Sequence, residues 1–221
     1  MSFSMEKMNN SLFKEWLVKY TSLESYKEEI LFDIIKKLDG NLSFLYKVNE
    51  ALFNGEGYVF KEDKTLEFQC KDGYGYLHSS NNSLSLDKDK FRDVIGTMID
   101  IYEDVYPLGT VVDLKKNAFK DVLPVDKVEY LRVVINYRFI PCSKEMYMPY
   151  MGAIYPIGSE GVRAGGVHFT TKAIERVVHM GYRDEQEVAY LYKIKKDMIL
   201  NKNMHSTAFM RREEIKMFNN K

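Results

Sequence analysis

Six residues, Phe91, Val94, Ile95, Met98, Ile99 and Tyr102, fall at i, i+3, i+4, i+7, i+8 and i+11. At helical periodicity they share one stripe, and a stripe of that length holds together only when another layer covers it. Asp87 stands where an N-cap belongs, and the helix must end before Pro107, because the residue ahead of a proline disfavours the α region. The chain is thereby required to supply a partner layer for a central amphipathic helix.

Both helices and strands are available for that layer. Leu12, Phe13, Trp16, Leu17 and Tyr20 fall on one helical face. Thr21-Ser22-Leu23-Glu24 and Ser25-Tyr26-Lys27-Glu28 each fit a capping box, so a second helix starts there, with Ile30, Ile34, Ile35 and Leu38 as its stripe and Gly40 as its stop. Helical spacing continues through Leu42, Leu45, Tyr46, Asn49, Leu52 and Phe53 to Asn54-Gly55. The period then changes. Tyr58-Val59-Phe60, Thr65 to Cys70 and Tyr74 to Leu77 are short β-rich runs separated by turn sequences at Lys61 to Lys64 and Asp72-Gly73, which predicts a small meander. Ser79 to Ser85 reads as a polar loop.

Beyond Pro107 the expected strands are Thr110–Leu114, Tyr130–Phe139, Met146–Ile154 and Val167–Phe169. Thr170 or Thr171 is placed to cap a short helix carrying Ile174, Val177 and Val178, with Gly181 as its stop. A last helix runs from Asp184 to Leu200, and Ser206 caps a terminal turn or helix with Phe209 and Met210. The tetrads Tyr106-Pro107-Leu108-Gly109 and Tyr155-Pro156-Ile157-Gly158 echo each other and read either as two similar strand entries or as coincidence. The fold class is α+β: N-terminal helices, a small antiparallel β-meander, a central helix, then a second antiparallel sheet and C-terminal helices. The expected division is residues 1–105 and 106–221, and the doubly wound alternation of a parallel sheet is absent.

Lys+Arg and Asp+Glu both number 32, so net charge points to neither a nucleic-acid nor an acidic-surface protein. From Lys193 to Lys221 eight basic residues meet three acidic ones, a local +5 that reads as a dock for an acidic partner or as a solvated helix face. Two cysteines, Cys70 and Cys142, suit a reducing compartment and allow one bridge at most. Met1 to Lys7 lacks the apolar core of a signal peptide, and no apolar run reaches the roughly 18 residues of a membrane span. The expected location is cytoplasmic.

No arrangement in the sequence carries a reaction. His78, His168, His179 and His205 lack metal-ligand spacing, and the cysteines lack a Cys-x-x-Cys partner and read as buried small hydrophobes. The glycines between Gly158 and Gly166 lack the Gly-Lys-Ser/Thr ending of a phosphate loop. No catalytic, cofactor-binding or metal-ligating residue is therefore assigned, no cofactor is expected, and the protein is not read as an enzyme. Methionine and tyrosine suit an adaptable apolar contact surface, and they are densest between Met146 and Tyr155. On a strand, Met146, Met148 and Tyr150 share one face and Tyr147 and Met151 the other. Met146, Met148, Tyr150 and Tyr155 are the partner-binding candidates, on a strand that offers an edge to an extended client, with core packing as the competing reading.

The stretch from Tyr106 to Tyr182 resembles the bacterial family called domain of unknown function 4176. The resemblance rests on Pro107-Leu108-Gly109-Thr110-Val111-Val112, the strand Leu131-Arg132-Val133-Val134-Ile135, the segment Tyr150-Met151-Gly152-Ala153-Ile154-Tyr155-Pro156-Ile157-Gly158, and Gly181-Tyr182 followed by Asp184-Glu185. Asn117 to Lys127 departs from the short turn that family would place between its first two strands. Family members look like accessory proteins encoded beside large LXG-type toxins at type VIIb secretion loci of Gram-positive bacteria. The resemblance implies a chaperone or targeting factor for a cognate LXG-type toxin or other secreted effector, or, as the alternative, an immunity protein neutralising it. A small secreted helical-hairpin partner would carry Trp-x-Gly, and here Trp16 is followed by Leu17-Val18.

Overall fold

A computed structural model describes residues 4–19, 25–61, 63–79, 82–116, 129–158 and 166–209. The chain divides into two compact units, Met5–Glu103 and one that begins at Asp104. Among the described residues, five α-helices and two separate sheets give the mixed α+β class. No helix among the described residues is long and apolar enough to cross a membrane.

The first unit opens with helix α1 (Met5–Lys19), which buries Met8, Leu12, Phe13, Trp16 and Leu17. Helix α2 (Ser25–Leu38) buries Ile30, Leu31, Ile34 and Leu38, and the chain leaves it through Asp39 and Gly40, both at positive φ. The Thr21 to Glu24 capping box lies outside the described residues. Helix α3 (Ser43–Asn54) stops at Gly55, whose φ of 80° lets its N–H reach the carbonyls of Ala51 and Leu52.

Strands β1 (Gly57–Phe60), β2 (Leu66–Lys71), β3 (Tyr74–Ser79) and β4 (Asn82–Asp87) then form an antiparallel sheet in sequence order. β4 corrects the loop expected over Ser79 to Ser85. Leu84 and Leu86 alternate with Ser83 and Ser85, and both leucines are buried, so the strand period is present but carried by only two apolar residues.

Helix α4 (Lys88–Tyr102) follows at once. The Asp87 carboxylate accepts hydrogen bonds from the N–H groups of Asp89 and Lys90. Phe91, Val94, Ile95, Met98 and Ile99 are all fully buried. The helix packs on α1, α3 and the meander, and Phe91 meets Phe68 edge-on at 5.4 Å.

The second unit is built on a six-stranded sheet of β5 (Val111–Lys115), β6 (Tyr130–Pro141), β7 (Met146–Ile154), β8 (Val167–Phe169), β9 (Ile174–His179) and β10 (His205–Ser206). The strand order is β10-β7-β6-β5-β9, with β8 also pairing with β7. All pairs are antiparallel except the short β10–β7 pair, which is parallel.

β9 corrects the expected short helix. The helical spacing of Ile174, Val177 and Val178 is real, but all three are β-branched and suit the pleated sheet, where the segment pairs with β5. A single 3₁₀ turn, Thr171–Ala173, precedes it.

Helix α5 (Glu185–Lys195) is capped by the Asp184 carboxylate, which accepts from the Glu187 N–H, and it runs on into a wider π-type turn at Lys196–Asn201. Val188, Leu191, Met198 and Ile199 are buried along it. A two-pronged ion pair fixes α5 to β6: both Arg138 terminal nitrogens meet the Glu187 carboxylate, one at 3.0 Å, and the Arg138 side chain is 3% exposed. Ser206 accepts the Ala208 N–H at a 3₁₀ turn, Thr207–Phe209, and Met210 lies outside the described residues.

Candidate functional site

Three adjacent strands of the second sheet bring one acid and two bases into a row. The register sets Asp113 on β5 opposite Arg132 on β6 and Arg176 on β9. Each of the three side chains sits on the same face, because their residues are paired directly across the sheet. Arg132 grips the carboxylate with two N–H groups, Nε to Oδ1 at 2.8 Å and Nη2 to Oδ2 at 3.1 Å. Arg176 adds Nε to Oδ2, also at 2.8 Å. Tyr130, two residues before Arg132 on the same face, puts its ring 5.3 Å from both guanidinium carbons.

Electrostatics follow from burial. The Asp113 side chain is 1% exposed. The hydrogen bond from Arg132 holds its carboxyl below the ordinary range, against the burial that alone would raise it, and Arg176 adds to the lowering. Asp113 is therefore ionised across the neutral range, with no proton to donate and both oxygens occupied. Its part is to orient two guanidiniums. Arg176 is more than half exposed and, among the described residues, meets Asp113 through Nε, so its terminal nitrogens have donors for an external acceptor. Tyr155 follows β7 directly, its N–H bonded to the Arg132 carbonyl at 2.9 Å, and it is 58% exposed, with Ile157 at 53%. Positive charge in fixed geometry beside exposed apolar side chains suits binding a partner rather than transferring a proton.

A second exposed apolar group forms where two turns are stitched together. Thr110 Oγ1 donates to the Pro107 carbonyl at 2.7 Å and accepts the Gly181 N–H at 3.0 Å. Leu108, Met180 and Tyr182 project from these turns, each about half exposed or more. A Cβ on Gly181 would lie 2.2 Å from the Leu108 carbonyl oxygen and 2.9 Å from the Thr110 nitrogen. Gly181→Ala is accordingly expected to destabilise this unit by about 1–3 kcal/mol, because backbone must move to admit the methyl group. Thermal denaturation checks this, and an unchanged midpoint would show that the two turns separate freely.

The four partner-binding candidates end in different places. Met146 and Tyr150 are each 1% exposed and belong to the core. Tyr150 stacks on Phe169 at 5.4 Å and its hydroxyl accepts the Tyr106 N–H at 3.1 Å. Met148 is half-buried, with the Thr207 hydroxyl 3.4 Å from its sulfur. Tyr155 alone of the four is well exposed. The physical reason is that β7 is an interior strand, flanked by β6 on one side and by β8 and β10 on the other, so it offers no free edge along those pairs.

The Pro-x-Gly echo also divides. The first tetrad enters β5, whereas the second leaves β7 through a cis Tyr155–Pro156 bond and Gly158 at φ 72°. Cys70 is buried and its thiol is pushed up by that burial, but Cys142 is exposed, which corrects the expectation of a buried side chain there. Among the described residues no three His, Cys, Asp or Glu side chains converge as a metal would need. Asp113, Arg132 and Arg176 form no motif in the sequence. The available signal is charge inside three β-branched runs: Asp113 alone in Val111 to Leu114, Arg132 alone in Leu131 to Ile135, and the Glu175-Arg176 pair in Ile174 to Val178.

No curated protein and no solved structure matches the chain. Residues 105–190, which contain the Asp113 cluster, both exposed apolar groups and the motifs singled out in the sequence, match the family described as Domain of unknown function (DUF4176).

Proposed function

We propose that this protein is a non-enzymatic cytoplasmic chaperone or targeting factor that binds a cognate LXG-type toxin for type VIIb secretion. The observation that carries the reading is exposed Tyr155, followed by exposed Ile157, next to Arg132 of the guanidinium pair fixed on Asp113, all within the segment that matches the family. A surface that shields a client needs apolar area facing water and a few rigid donors to set orientation. Tyrosine provides contact area at low entropy cost, and Arg176 has donors for a carboxylate or carbonyl of the client. The identity of the client, an LXG-type toxin, is what the family resemblance implies.

The test is co-expression with separate segments of the toxin. A chaperone retains the export-proximal or middle segment, whereas capture of the C-terminal toxic domain alone assigns an immunity protein instead. Replacing Tyr155 and Ile157 together with Glu is expected to weaken capture at least about tenfold, since buried aromatic anchors dominate such interfaces. The melting temperature should hold, both side chains being exposed. Undiminished capture by that variant removes this surface from the proposal.

A further inference from the structure

Two guanidiniums share one carboxylate at the Asp113 cluster, which leaves a positive charge over. Asp113 takes Nε and Nη2 of Arg132 and Nε of Arg176. Nη1 of the first and both terminal nitrogens of the second remain as donors beyond it. The surroundings add to the charge. Lys115 pairs directly with Tyr130 across β5 and β6, so its side chain lies on the face that carries Asp113. It is exposed, and its ammonium bonds to the Lys172 carbonyl, a neutral acceptor. Glu175 stands at the register shift in β9, and even with its carboxylate counted these positions remain net positive.

This face of the sheet is open to solvent. On the other face of β5 and β6, Val112, Leu114, Leu131 and Val133 are core. On this one Tyr130, Tyr155 and Arg176 are each more than a third exposed. Tyr155 continues the β6–β7 register opposite Arg132. Asp113 and the Tyr130 ring fix both guanidiniums before a ligand arrives, so little side-chain freedom is lost on binding. We infer that the Asp113 face takes an acidic segment of the client polypeptide, one of whose carboxylates bonds to the terminal nitrogens of Arg176 and neutralises the charge left over. The inference rests on the client-binding proposal above and narrows it to the chemistry of the bound segment. A carboxylate matches the planar guanidinium fork. Nucleic acid suits the face less, because the chain is neutral overall and a fixed carboxylate at the centre of the cluster repels phosphates.

The full chain is titrated by calorimetry with a short acetylated peptide alternating Glu and Ala, with its Gln–Ala counterpart and with a short oligothymidylate. The Glu peptide is expected to bind at least about tenfold more tightly than the Gln peptide, and to weaken as salt is raised. Arg176→Gln should lower its affinity about tenfold with the melting temperature nearly unchanged, since that side chain is more than half exposed. Arg176→Lys, which keeps the charge but not the fork, should lose less. Absence of Glu-peptide binding at millimolar concentration, equal affinity for the Gln peptide, or full affinity in Arg176→Gln would each overturn the inference, and tighter binding of the oligothymidylate would reassign the face to nucleic acid. Failure here is separable from failure of the chaperone reading. Toxin segments captured equally well by wild type and by Arg176→Gln overturn the acidic segment alone, whereas Glu-peptide binding without capture of any toxin segment overturns the identity of the client and keeps the acidic-peptide site.

Discussion

Ile95→Asp is expected to abolish the cooperative unfolding transition of the Met5–Glu103 unit. Ile95 is 0% exposed and sits at the middle of α4, between Phe91 and Ile99 on the same stripe, both also fully buried. A carboxylate placed there is taken out of water into an apolar stripe. Either it ionises uncompensated or it takes up a proton at a cost, and the loss of isoleucine packing adds to both. The sum is about 4–5 kcal/mol or more, comparable with the whole stability of a unit this size. Ile95→Ala, at about 2–5 kcal/mol, should lower the midpoint without removing the transition. Near-ultraviolet circular dichroism with thermal denaturation distinguishes the two. A native-like melt for Ile95→Asp would mean that this stripe does not face the core.

The second large effect is expected at Asp113. Asp113→Asn preserves shape but removes the charge shared by Arg132 and Arg176, leaving two guanidiniums side by side over Tyr130. Removing one partner of a buried pair costs about 3–5 kcal/mol, and the partial exposure of both arginines puts this case near the lower end. The pH dependence has a definite sign. The folded carboxyl lies below its ordinary value of 3.8, so its contribution is complete above that pH and is lost as pH falls through the folded value. The stability gap between wild type and Asp113→Asn should therefore be widest near neutrality and shrink on acidification below 3.8. Urea denaturation at neutral and acidic pH measures it. A gap that stays constant with pH would mean the carboxylate is not held by its arginines.

The elements legible in the sequence are those with enough residues to repeat a period. α4 shows its stripe through six positions, and β7 was bounded at Met146 and Ile154 by composition alone. β4 and β9 differ from the loop and helix expected there because two leucines or three β-branched residues do not separate a period of two from one of 3.6. For Met146 and Tyr150 the sequence leaves a contact surface and core packing both open, and the structure has them in the core. The strands that cover β7 on one side are three and two residues long, too short to announce themselves. The Asp113 cluster was hidden by distance: its arginines lie 19 and 63 residues away in sequence, and only the strand register, bulges included, brings them to one carboxylate.

β9 closes the strand order on one side, so its outer margin is a row of main-chain donors and acceptors that no described strand caps. Its pairing with β5 slips twice, between Val111 and Val112 and again between Asp113 and Leu114. Each slip inserts an extra residue and bends the ribbon, and Glu175 and Arg176 place opposite charges along it. A margin that is kinked and charged is a poor template for another β-ribbon, and proteins commonly guard such margins this way. The same irregularity that delivers Arg176 to its carboxylate thus also discourages edge-to-edge stacking of copies into fibres.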